Sequence, residues 1–368
     1  MTTTRVAVNL TWMTPGRVGG SEEYLTRQLC GISPSEFDVE IYCDRRFDEC
    51  HPDLAERFRT TAMPSIGDRR AMRIALEHPW LAVVARGADV VHHGGGTAPM
   101  IGSGPFVLTI HDLQYLRYPC YFSGARRRYL RAVVPRSARR AGVIAVPTAF
   151  VRDDVIEAFG VAAERAVVVP HGVPAITPPD ADRIERARRR HSVGGRPYVI
   201  YPAITHPHKG HRVLVEMLDH LGDDTAVVLI GSEGAAEADL RRAVAASAQA
   251  ARVVRAGRVS AADRDALVAG AEALVFPSEF EGFGAPVIEA MALGTPVVCS
   301  AADALVEVAG DAAVIVATAD GAAWADGVIA ARAQRDDLVA RGRRRRDAFT
   351  VDASGRALAA AYRQAVAS

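Results

Sequence analysis

The residues best equipped for chemistry lie in FPSEFEGFGAPVIEAMALGTPVV, positions 276–298. A strand end runs into a loop holding Glu279, Glu281, Gly282, Phe283 and Gly284; Pro286 then opens a helix with Glu289 in its first turn. Glycines let backbone approach a ligand closely, and their N–H groups can face a sugar or a phosphate. A carboxylate in so apolar a helix needs polar partners. Glu289 either caps its own loop or accepts paired donors such as the vicinal hydroxyls of a ribose, and Glu281 eight residues earlier favours the ligand.

Of the 44 Lys+Arg residues only Lys209 is lysine. It stands in YPAITHPHKGHRVL, in the loop between a strand and a helix, where a compact ammonium beside a helix N-terminus matches the charge of a leaving diphosphate. A chance survivor of arginine bias is the alternative. His206, His208 and His211 alternate around it, but no Cys or acidic residue completes a metal set, so they read as hydrogen bonders. TPGRVGGSEEYLTRQL places Gly16, Gly19 and Gly20 before a helix whose candidate N-cap is Ser21, either a plain turn or a diphosphate cradle. The spacing is not GxGxxG, and the second strand does not end on a reliable acidic residue, so a dinucleotide is disfavoured. His111 follows a strand in TIHDLQYLRYP and is equally open to a structural or a site role.

Short apolar runs must position these residues. VAVNL, VEIYC, ADVVHH, FVLTIHD, GVIAVPT and AVVVPHGV alternate with helical patterns in the first half. YVIYPA, AVVLIGS, RVVRAG, EALVFPS, TPVVCS and AAVIV do so in the second. Such alternation implies two α/β domains with doubly wound parallel sheets, whose ligands sit beyond the carboxyl ends of the strands, in a cleft between the two. The polar segment 174–197 marks the boundary. The expected division is a domain at 1–175, a linker at 176–196, a second domain at 197–347 and a C-terminal helix at 348–368 packing back on the first.

The chain has 368 residues, 49% hydrophobic, 24% charged and 6% aromatic, with a net charge of +1. These values exclude a disordered or fibrous chain and give no global field for nucleic acid. Five scattered cysteines fit reduced thiols, and neither an export signal nor an 18-residue apolar run is present; the expected location is the cytoplasm. The basic segment 126–140 reads as a solvated helix that also suits peripheral contact with a lipid headgroup on the inner face of a membrane.

With GGSEEY, HDL, VPHGV, HKG, EGFGAPVIEAMALGTPVV and ALVEVAGDAA in place, the chain resembles glycosyltransferase family four, retaining enzymes of the GT-B fold, over nearly its whole length. The resemblance implies two Rossmann-like domains facing each other across a cleft, and transfer of a sugar from a nucleotide diphosphate-sugar to a glycan or lipid-linked acceptor. It puts Glu281 on donor-sugar hydroxyls, Glu289 on the ribose, Lys209 on the diphosphate, the Gly19–Gly20 loop on the same phosphates, and His111 near the reacting carbon. Gly282, Phe283 and Gly284 belong to the same donor loop. Many members carry an arginine six residues before this lysine; Ala203 stands there, which throws more of the diphosphate onto Lys209, His208 and backbone donors. Members with a similar YPA…HKxH pattern act in cell-surface polysaccharide synthesis, often on mannose or rhamnose. The implied reaction is a front-face displacement without a metal cofactor. The other readings are a non-catalytic nucleotide-sugar-binding protein and a glycoside hydrolase or phosphorylase using Glu281 and Glu289 as its acid and nucleophile.

Overall fold

A computed structural model describes residues 3–16, 19–64, 70–100, 104–222 and 224–368, with the side chains of 70–75 and 78 left aside. It resolves into two compact units, one formed by Met1–Pro174 with Phe349–Ser368, the other by Ala175–Ala348.

The first unit is built on β1 (Thr4–Asn9), β2 (Phe37–Cys43), β3 (Arg59–Ala62), β4 (Val90–His93), β5 (Phe106–Thr109), β6 (Val143–Val146) and β7 (Ala166–Val168). All pair in parallel, in the order β3-β2-β1-β4-β5-β6-β7. Helices cover both faces, so β6 and the inner stretches of β1 and β5 are apolar at successive positions rather than at alternate ones. Val107, Val143 and Ala145 enter the core under the helices Gly20–Cys30 and Val351–Ala367. Their neighbours Phe106, Leu108, Ile144 and Val146 point the other way, to the helices Gly124–Arg140 and Ala149–Phe159.

The C-terminal helix lies against Gly20–Cys30 with two glycines back to back. A β-carbon on Gly355 would overlap the backbone of Gly31, and one on Gly31 the carbonyl oxygen of Val351. Only residues without side chains permit this approach. The helix also sends the Tyr362 hydroxyl to His92 Nδ1, 2.9 Å away, while His92 Nε2 meets the Thr109 hydroxyl at 2.8 Å. His92 is 0% exposed, and burial pushes its imidazole down to about 3.

The second unit carries β8 (Tyr198–Pro202), β9 (Ala226–Ile230), β10 (Val253–Gly257), β11 (Ala273–Phe276), β12 (Val297–Ser300) and β13 (Val314–Val316), parallel in the order β10-β9-β8-β11-β12-β13. Strand order reverses between β8 and β11, the topological switch point where crossovers leave in opposite directions. In the first unit the switch falls between β1 and β4.

The segment expected as a linker at 176–196 contains a helix, Ala181–Arg190, and belongs to the second unit. Asp180 caps it by accepting from the Arg183 N–H at 2.7 Å. Arg190 and His191 both reach Asp263, and Arg188 lies over the Tyr198 ring. Its Arg- and Asp-rich composition looks solvated, and only Ala187 is fully buried, which is why no apolar stripe announces it.

Candidate active site

In the second unit the two strands flanking the switch point deliver the charged residues. After β8, Pro207–Lys209 form one turn of 3-10 helix, and the buried Tyr201 donates its hydroxyl to the Lys209 carbonyl at 2.9 Å. After β11, the Glu279 N–H donates to the His208 carbonyl at 2.8 Å, and the buried Ser278 hydroxyl donates there too, at 3.3 Å. The first of these bonds joins the two loops main chain to main chain, and the second ties a side chain to the same carbonyl. The Lys209 ammonium then pairs with the Glu281 carboxylate, their side chains 18% and 13% exposed, and it also sits 5.8 Å from the centre of the Phe276 ring.

His208 is buried beside this pair. Burial first, then the nearby charge of Lys209, lowers its imidazole to about 3, so it is neutral at any physiological pH. His211 is lowered to about 4, also chiefly by burial, against a hydrogen bond to the Ala203 backbone that acts the other way.

Gly284 occupies the left-handed region at φ 84, where a side chain is strained, and a β-carbon on it would push against Leu305 Cδ2, so glycine suits the turn that closes the EGFG loop. It is the N-cap of Ala285–Ala292, with Pro286 among the first two residues. Glu289 is the fifth residue of that helix, one position past the first turn in which the sequence placed it. It is 7% exposed, and Arg264 Nη1 stands 3.9 Å from its Oε2.

In the first unit the helix after β1 starts at Gly20, with Gly19 rather than Ser21 at the N-cap and no side chain capping it. The Gly19 carbonyl accepts the first N–H groups of the helix, from Glu22 at 2.9 Å and Glu23 at 3.1 Å, while the Glu22 carboxylate accepts from the Gly16 N–H at 2.7 Å and meets His51 Nε2 at 2.8 Å. The same helix carries Tyr24, which packs edge-on against His111 with ring centres 5.2 Å apart and lies 4.4 Å from His171. His111 Nε2–H donates to the Gly94 carbonyl at 3.0 Å, leaving Nδ1 as the ring's lone-pair atom. Desolvation lowers this imidazole to about 4. Gly19, Gly20 and His111 thus gather around one helix, and His208, Lys209, Glu281 and Gly282–Gly284 around one pair of loops. Tyr201, Ser278 and Tyr24, which fix these groups, carry no local signal beyond their apolar or small-residue surroundings. Among the described residues no group of three His, Cys, Asp or Glu side chains could hold a metal ion.

Two family models account for most of the chain: "Glycosyltransferase Family 4" over residues 18–176 and "Glycosyl transferases group 1" over 182–346. The chain belongs to glycosyltransferase family 4. Among curated relatives, this chain is 29% identical over 220 residues to O-antigen chain mannosyltransferase B of Escherichia coli, a match covering 57% of this chain and 56% of that one. It is 25% identical over 217 residues to the O-antigen chain mannosyltransferase RfbU of Salmonella typhimurium. The chain spans a little over half the length of these two relatives. Among solved structures, Anabaena HepE in complex with UDP and glucose aligns over 98% of this chain and 99% of its own, with a TM-score of 0.78 at 19% identity, a likeness of fold. The fold is GT-B.

Proposed function

We propose that this protein is a retaining hexosyltransferase that moves a sugar, mannose or rhamnose by preference, from a nucleotide diphosphate-sugar to a glycan or lipid-linked acceptor of a cell-surface polysaccharide. The observation that carries the reading is the joining of Lys209, His208, Glu281 and the EGFG loop at the carboxyl ends of β8 and β11. Relatives named as O-antigen mannosyltransferases favour the sugar and the acceptor class.

The chemistry follows from where charge develops. Breaking the bond between the anomeric carbon and the diphosphate oxygen leaves positive charge on the sugar and negative charge on the diphosphate. A fixed ammonium and N–H donors aimed at the phosphates lower that barrier. Lys209 supplies the charge and neutral His208 a donor, with no metal cofactor. Glu281 accepts from donor-sugar hydroxyls and Glu289 from the ribose. In the N-terminal unit, the N–H groups of the Gly19–Gly20 turn bind phosphate oxygens and His111 faces the sugar. In a front-face displacement the acceptor hydroxyl forms its bond to the anomeric carbon on the side the diphosphate leaves, and the departing phosphate oxygen takes the acceptor proton.

The acceptor brings in a membrane. Gly124–Arg140 carries seven arginines and no carboxylate, a composition suited to peripheral contact with anionic lipid on the cytoplasmic face. No helix among the described residues is long and apolar enough to cross a bilayer. Flotation with vesicles that contain or lack phosphatidylglycerol tests this contact.

The donor is tested by thermal unfolding with UDP, GDP, dTDP and ADP. A ligand of the folded state at a hundredfold excess over its Kd adds about 2.7 kcal/mol. One nucleotide should stabilise the wild type and leave Lys209→Ala and Glu289→Ala unmoved. Sugar release without acceptor, at the rate of transfer, would instead point to hydrolysis, and binding without turnover to a sensor.

A further inference from the structure

The Lys209–Glu281 pair makes demands of its own on whatever binds. Both side chains are more than four-fifths buried, and both loops are pinned by backbone bonds, so the pair is a held arrangement rather than a chance meeting of surface groups. Lys209 is the only lysine of the chain, and its charge is already compensated by a carboxylate. A diphosphate approaching the ammonium therefore meets a site of no net charge from this pair, with a negative group beside the cation. It must either displace Glu281 or bear like-charge repulsion from it.

The two ligands of a transfer cycle differ in what they offer the displaced carboxylate. A nucleotide diphosphate-sugar brings hydroxyl donors, which replace the ammonium contact that Glu281 gives up. The nucleoside diphosphate left after transfer carries an extra negative charge and no sugar, so Glu281 loses its cation and gains nothing. We propose that Glu281 is an internal counter-ion for Lys209 that selects the sugar-bearing donor over the free nucleoside diphosphate and re-forms its ion pair to expel that product. This rests on the assignment of Lys209 to the diphosphate. It makes Glu281 a determinant of product release as well as a contact for sugar hydroxyls.

The test is calorimetric titration of UDP, GDP, dTDP and ADP, and of a sugar nucleotide of each base, into wild type, Glu281→Gln, Glu281→Ala and Lys209→Ala, each first checked for wild-type unfolding behaviour. The expected result is that both Glu281 variants bind the preferred nucleoside diphosphate at least tenfold more tightly than wild type, about 1.4 kcal/mol, while its sugar form binds no more tightly. The preference for donor over product then collapses. If the nucleoside diphosphate binds in a Lys209-dependent way and neither Glu281 variant strengthens it, the counter-ion proposal is overturned and the diphosphate assignment stands. If no nucleotide binds, or Lys209→Ala leaves binding unchanged, the assignment itself fails and the proposal with it. Two Glu281 variants guard against a fold effect of either one, and weaker product binding in both counts against the proposal.

Discussion

His111 donates its Nε2–H to the Gly94 carbonyl oxygen across 3.0 Å, and the edge of its ring is packed against Tyr24. The bond sets the tautomer and burial sets the charge, so what His111 presents to a ligand is a neutral Nδ1. With the imidazole lowered to about 4, no titration of His111 should shape the rate between pH 5.5 and 8. His111→Gln should slow transfer about a hundredfold without adding or removing an inflection in that range. An inflection near pH 6.5 that vanishes in His111→Gln would show that the residue works as a titrating acid or base.

Lys209→Ala separates function from stability. The ion pair is largely buried and its loss leaves the Glu281 carboxylate without its cation, so it should cost about 1–3 kcal/mol of folding free energy. Transfer should fall by about 10²–10³ in kcat, the usual effect of removing one group that stabilises developing anionic charge. Steady-state kinetics beside urea unfolding measures both. Wild-type turnover in this variant removes Lys209 from the mechanism.

Gly284→Ala tests the loop. The left-handed backbone and the overlap with Leu305 together should destabilise the second unit by about 1–3 kcal/mol. Nucleotide affinity should drop with it, because the loop that carries Glu281 can no longer close. Equal stability and equal affinity in the variant would mean that the loop has other conformations to use.

His92 should make the protein acid-labile. An unfolded chain protonates this imidazole near 6.5, whereas the folded one holds it neutral down to about 3. Between those values unfolding takes up a proton, so stability present above pH 6.5 is lost progressively as pH falls. His111, His208 and His211 act with the same sign. Tm should decline from pH 7 to pH 4.5, and less steeply in His92→Phe than in wild type. Parallel curves for the two proteins would exclude His92 as a source.

Gly355→Ala drives a methyl group into the Gly31 backbone. Overpacking of this kind costs about 1–3 kcal/mol, and the loss should fall on the first unit. Hydrogen exchange should quicken in β1 and β4 while β8 and β11 keep their protection. Uniform quickening in both units would contradict it.

Much of this architecture is legible in the chain because a strand buried on two faces is apolar over most of its length. All six strands of the second sheet coincide with runs such as AVVLI and VVCS. In the first sheet only Arg59–Ala62 escapes, a four-residue edge strand of polar residues with neither alternation nor a continuous apolar run. The site residues are legible for a related reason: loops at strand ends expose charge, glycine and proline, which stand out against apolar flanks. What joins them is not. The Tyr201 hydroxyl on Lys209, the His208 carbonyl under Glu279 and the ring of Tyr24 on His111 are tertiary contacts between residues that look like ordinary core. The helix Ala181–Arg190 is hidden by its own arginines.

The Gly31–Gly355 contact also has a temporal meaning. The face of the first sheet that receives Leu358 and Tyr362 is laid down early in synthesis, but the helix that covers it is translated after the whole second unit. A ribosome therefore releases residues 175–348 while the earlier unit still shows an apolar groove and an unsealed His92. The second unit, contiguous in sequence, is free to fold first, and the first to be synthesised is the last to close. Nascent chains halted before residue 351 should be where a chaperone finds this protein.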